Sequence, residues 1–138
     1  MEARAHRAID RSADSVWADV ADFAAIASWH PAITDSGPGP GPATRQLRTS
    51  DGHSITEHLL VNDSEARIQE YVLVSHPFPV TDYRARIEVR PTGTQRCEVH
   101  WSASFRPTAG DGGAERAMFE NEIFRPGLDA LAEGTALD

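Results

Sequence analysis

The residues with chemical capability are few and sit among apolar neighbours. In ATRQLRTSDG, Arg45 shares a strand face with Leu47, and in HSITEHLLV, Glu57 shares one with Leu59 and Val61. Burying either charge alone costs several kcal/mol, so the two must pair, reach water or meet a ligand. Three readings stay open: a buried ion pair that fixes strand register, a solvated pair at the sheet edge, and a functional pair. In the last, Arg45 holds an acidic or carbonyl oxygen while Glu57 serves as base or hydrogen-bond acceptor.

Trp29-His30-Pro31 combines an aromatic face, a group that titrates near neutrality and a chain stop. It is read as a pocket rim, with a structural or exposed histidine as the alternative. By strand parity Tyr71 falls with Leu73, and Tyr83 and Trp101 fall with Ile87, Val89, Val99 and Phe105. The expected interior is therefore apolar and aromatic, with one basic, one acidic and two phenolic groups. In SHPFPVTDY, Phe78 lies on a proline-stiffened connection that either caps a pocket mouth or simply joins two strands. His53, His58, His76 and His100 show no shared ligand spacing, and Cys97 is the lone cysteine, read as a small half-buried strand residue. No metal site, disulfide or cofactor is expected.

The elements that position these groups follow from hydrophobic period. Ala3 to Asp10 reads as a strand, and Arg11-Ser12 lead into ADSVWADVADF, where Val16, Trp17, Val20 and Phe23 recur at helical spacing. A second short helix, AAIASW, is stopped by Pro31. DSGPGPGPAT is dense in Gly and Pro and is expected to be a loop. From Thr44 to about Pro107 the period is two, and turn signals at Ser50-Asp51-Gly52, Asn62-Asp63 and Pro91-Thr92-Gly93 divide antiparallel hairpin strands. Ala114 to about Glu133 reads as a long amphipathic helix carrying Ala117, Phe119, Ile123, Phe124, Leu128 and Leu131. A kink or break is expected at Pro126, with the carbonyl four residues earlier freed. The order implies an α+β domain whose curved antiparallel sheet wraps a helix.

Length and composition bound the rest. The 138 residues suit one domain, 1–138, able to enclose a modest cavity, and a chain 40% hydrophobic and 25% charged lies outside the disordered range. The net charge of -8, with every basic residue an arginine and those scattered, argues against nucleic-acid and anionic-membrane partners. No run approaches the roughly 20 apolar residues of a membrane span, and the N-terminus lacks a signal-sequence pattern, so a cytoplasmic protein is expected. The lysine-free, Ala- and Arg-rich composition points to a high-GC genome.

Taken together, VWADVADFAAIASWHP, Arg45 in ATRQL, Asp51-Gly52, Glu57 and Leu59 in TEHL, Asp63, Tyr71, PVTDY, and Trp101 with Phe105 in VHWSASF resemble the SRPBCC (START-like) superfamily. The match is to its bacterial polyketide cyclase/dehydrase and lipid-transport group and covers nearly the whole chain. The resemblance implies a helix-grip fold of about seven strands, with a cavity between sheet and long helix that is walled on one side by Phe119 and Ile123. The plant abscisic-acid receptors look like distant relatives, their pocket glutamate falling on Glu57, their pocket tyrosine on Tyr83 and their latch loop on HPFPV. Their gate-loop and lysine motifs have no clear match, so hormone sensing is not carried over.

Two functions remain in view. One is a cyclase or dehydratase of secondary metabolism acting on a hydrophobic, polyketide-like or aromatic substrate. Glu57 or His30 would move protons, and Arg45 or a tyrosine hydroxyl would stabilise an enolate. The other is non-catalytic binding, transport or sensing of a small hydrophobic ligand, held by Trp29, Tyr71, Tyr83, Trp101, Phe119, Ile123 and Phe78. Convergence of Arg45, Glu57 and a tyrosine on one point favours chemistry, and a purely apolar interior favours carriage. A homodimer is left open.

Overall fold

A computed structural model describes residues 1–134 of the chain. Strand β1 (Glu2–Ile9) is followed by helix α1 (Ala13–Ala21) and a 3-10 helix (Phe23–Ser28). Then come β2 (Ile33–Pro38), β3 (Thr44–Thr49), β4 (Ser54–Asp63), β5 (Ile68–Ser75), β6 (Val80–Gly93) and β7 (Arg96–Pro107), and a C-terminal helix, α2, over residues 113–133. The seven strands form one antiparallel sheet in the order β1-β7-β6-β5-β4-β3-β2. This is the α+β arrangement of sheet and helix that the alternation of periods predicts, and the helix-grip fold that the family resemblance implies.

Local chemistry explains the elements. Ser12 caps α1 by accepting from the Ser15 amide at 3.1 Å, and Val16, Trp17 and Val20 turn one face of the helix into the core. On β6 and β7 the residues Tyr83, Ala85, Ile87, Val89, Val99, Trp101 and Phe105 are all buried, which fixes register, since a one-residue slip would expose the whole set. The hairpin turns fall just beyond two of the expected signals. Asn62 and Asp63 still pair in β4, and β6 runs through to Gly93, which pairs with Arg96.

Two expectations are corrected. The Gly/Pro-rich stretch is not all loop, because Ile33 to Pro38 pairs with β3 as the edge strand β2. An edge strand bonds on one side only, so Gly37 and Pro38 sit where an amide is dispensable. Nor does Pro126 break the C-terminal helix. That helix passes from Gly113–Met118 through a π-helical turn, Phe119–Phe124, into Arg125–Glu133, with right-handed helical dihedrals at both junctions. The π turn lets Phe119 and Phe124, five residues apart, both reach the core, and it leaves Pro126 at the start of the last segment, where its missing amide costs little. Ala117, expected on the inner face, is exposed, and Cys97 is buried rather than half-buried.

Candidate functional site

Strands β3 and β4 place Arg45 directly opposite Glu57. Both side chains are nearly sealed from solvent, at 2% and 9% exposure. Arg45 Nε and Nη2 each approach Glu57 Oε1 at 2.7 Å, and Nη1 donates to the Phe23 carbonyl at 2.8 Å. The guanidinium is also clamped between rings, 3.9 Å from the Phe23 centroid and 4.8 Å from that of Tyr71. Each of its three nitrogens thus has a protein partner, and the first role the geometry gives Arg45 is to hold Glu57. Among the described residues no donor reaches Glu57 Oε2.

That carboxylate borders a cavity of about 50 Å³ between the sheet and α2. Tyr71, Tyr83 and Trp101 from β5, β6 and β7 line it together with Phe119 and Ile123 from α2. Trp101 Nε1 donates to the Tyr71 hydroxyl at 3.2 Å. Burial, reinforced by the Glu57 charge, pushes the Tyr71 hydroxyl far above its ordinary value, and burial beside Tyr71 and Glu57 does the same to Tyr83. Both phenols stay neutral and keep a proton to donate.

His30 is buried against the same cavity. Its Nε2 lies 2.8 Å from the Ile123 carbonyl and its Nδ1 lies 3.1 Å from the Ala32 amide. A carbonyl only accepts and an amide only donates, so Nε2 carries the proton and Nδ1 the lone pair. Burial lowers its pKa from 6.5 to about 4, against the opposing carbonyl bond and with a further push from Arg45. The ring is a neutral strut, not a rim group, and it reaches the π turn at Ile123 rather than at Glu122, the carbonyl Pro126 was expected to free.

Phe78, on the connection between β5 and β6, packs edge-on against Phe119 at 5.4 Å and stacks on His76 at 5.8 Å. With Ile123 it separates the inner cavity from an outer vestibule of about 220 Å³ that also touches Asp51, His53 and Glu122. Trp29 does not reach the inner wall; it backs His30 and Trp101 at ring distances of 5.5 and 6.0 Å. Ile26, Leu47, Ile55 and Leu73 complete the apolar wall. None of these four was singled out from the sequence as a site residue, although Ile55 shares parity with Glu57, Leu47 with Arg45 and Leu73 with Tyr71. No group of histidine, cysteine or carboxylate side chains among the described residues is disposed to hold a metal. No helix among them is long and apolar enough to cross a membrane.

Comparison with known proteins agrees with this fold. The protein XoxI from Bacillus cereus shares 30% identity over 96% of this chain and 93% of its own, with a TM-score of 0.89. A Thermobifida fusca protein shares 31% over 96% and 91%, with a TM-score of 0.81. The Zhui aromatase/cyclase from Streptomyces sp. R1128 shares the fold at a TM-score of 0.77, with 17% identity over 96% and 92%. None of the curated proteins matches the chain. Residues 1–134 match the family described as polyketide cyclase / dehydrase and lipid transport, and the chain belongs to that family.

Proposed function

We propose that the protein is a cyclase or dehydratase that closes a ring in a hydrophobic, polyketide-like or aromatic substrate, with Glu57 as its base. The observation that carries this reading is one carboxylate oxygen that finds no donor among the described residues, at the edge of an apolar cavity, its twin fixed by Arg45, with two neutral phenols alongside. Glu57 Oε2 takes a proton from a carbon between two carbonyl groups, and the C–H electron pair moves into the enolate. Tyr83 donates a hydrogen bond to the enolate oxygen. The enolate carbon then attacks a second carbonyl of the same chain, a C–C bond forms, and the new alkoxide recovers the proton from Glu57. Holding one conformer of a flexible chain supplies much of the acceleration, because an intramolecular closure is limited by orientation. His30 and Trp29 position Trp101 and α2. Family membership and the aromatase/cyclase neighbour support the reading.

The test is to co-express the protein with a synthase that releases a linear poly-β-ketone chain, and to compare products with Glu57→Gln and with no cyclase. The expected result is one regiospecific ring pattern that falls at least about tenfold, ~1.4 kcal/mol in barrier, in Glu57→Gln. A product distribution identical with and without the wild-type protein would reduce the function to ligand binding.

A further inference from the structure

The geometry points to a charge filter: the site takes neutral or cationic aromatic molecules that present a hydroxyl or amine donor to Glu57, and rejects carboxylates and other anions. This rests on the cavity being a small-molecule site, as proposed above, and adds the chemical class of its ligand.

The inner cavity is the first half of the filter. Its one cation among the described lining residues is Arg45, which donates from Nε to Glu57 and from Nη1 to the Phe23 carbonyl and is ion-paired through Nη2 with Glu57. An anion entering it would meet a guanidinium whose charge Glu57 already offsets. It would also meet Glu57 Oε2, an acceptor on a side chain more than nine-tenths buried. Placing a second negative charge there without a counter-ion is strongly disfavoured in a low-dielectric enclosure. A phenol, an enol or an ammonium group supplies the donor that Oε2 lacks.

The vestibule is the second half. Its rim carries Asp51 and Glu122, with His53 the single basic side chain. Asp51 is held ionised by the Thr49 hydroxyl, with its carboxylate 3.7 Å from His53. The whole chain repeats this bias, with 13 basic against 21 acidic side chains and no lysine. Negative potential at the mouth raises the local concentration of cations and lowers that of anions before either reaches Phe78. A polyketone substrate therefore arrives with its carboxyl group masked as an ester or thioester, or leaves that end outside the mouth.

The test uses four naphthalene probes of one size: 2-naphthol, 2-naphthylmethylamine, 2-methoxynaphthalene and 2-naphthoate. Affinities are measured by calorimetry on the wild type, on Glu57→Gln, and on the surface variant Asp51→Asn/Glu122→Gln, which leaves the core intact. In the wild type, naphthol and the amine bind at least about tenfold more tightly than naphthoate, and naphthol binds more tightly than its methyl ether. Glu57→Gln narrows the naphthol-to-ether ratio, and the surface variant narrows the amine-to-naphthoate ratio. Naphthoate binding as tightly as naphthol in the wild type overturns the filter while the pocket stands. Failure of all four probes to bind removes the pocket itself, and the filter with it.

Discussion

Gly127 on α2 lies so close to His30 that a Cβ added to it would stand 2.8 Å from His30 Cδ2 and 2.7 Å from Trp101 Cζ3. The absence of a side chain is what lets the helix settle onto the imidazole and lets Nε2 reach the Ile123 carbonyl. Alanine is favoured over glycine within a helix by ~1 kcal/mol, but overpacking against two rigid rings costs ~1–3 kcal/mol. Gly127→Ala is therefore expected to destabilise the fold, read as a lower denaturation midpoint. A midpoint raised by the substitution would mean that the helix does not seat against His30.

The buried imidazole gives the fold a pH dependence with a definite sign. The folded pKa of His30, about 4, lies below the unfolded value of 6.5, so the unfolded chain takes up this proton first. Stability from this residue is complete above pH 6.5 and falls between there and about pH 4, by about 3 kcal/mol in all. NMR titration should show the His30 ring neutral through pH 6 and protonating only near 4. A midpoint near 6.5 would contradict the burial described here.

Arg45 and Glu57 should be coupled in stability. Removing one member of a buried ion pair leaves a bare charge and costs ~3–5 kcal/mol, whereas removing both is far cheaper. Arg45→Met alone is expected to lose most of that amount, and Arg45→Met/Glu57→Leu to regain much of it, in a double-mutant cycle of chemical denaturation. Additive losses would show that the two side chains act independently.

Phe78 and Ile123 stand between the two chambers, and an inner cavity of about 50 Å³ is well below the ~300 Å³ of small ligand sites. An aromatic ligand must displace them to enter. Phe78→Ala should speed both association and dissociation of 2-naphthol in stopped-flow fluorescence. Unchanged rates would place the entry route elsewhere.

Much of this was legible in the sequence because period-two alternation on β6 and β7 fixes which side chains face inward, and the same parity brings Arg45 and Glu57 to one face. Edge strand β2 was hidden because glycine and proline signal a turn unless one knows that a strand lies at an edge. The π turn was written only in the five-residue step from Phe119 to Phe124, which a 3.6-residue period reads as two faces. The posture of His30 depends on Gly127, Ala32 and Ile123, which meet it from other elements or through the chain's own turn, and no local pattern encodes that. The same holds for which arginine nitrogens remain available.

The most direct test of the central claim is deuterium wash-in. An aryl β-diketone bound in the cavity in D₂O should exchange its α-proton, since Glu57 Oε2 removes it to form the enolate and returns a deuteron from solvent. The wild type is expected to accelerate exchange well beyond buffer, with Glu57→Gln slower by at least about tenfold. Equal rates in folded wild type and Glu57→Gln would contradict Glu57 as the base.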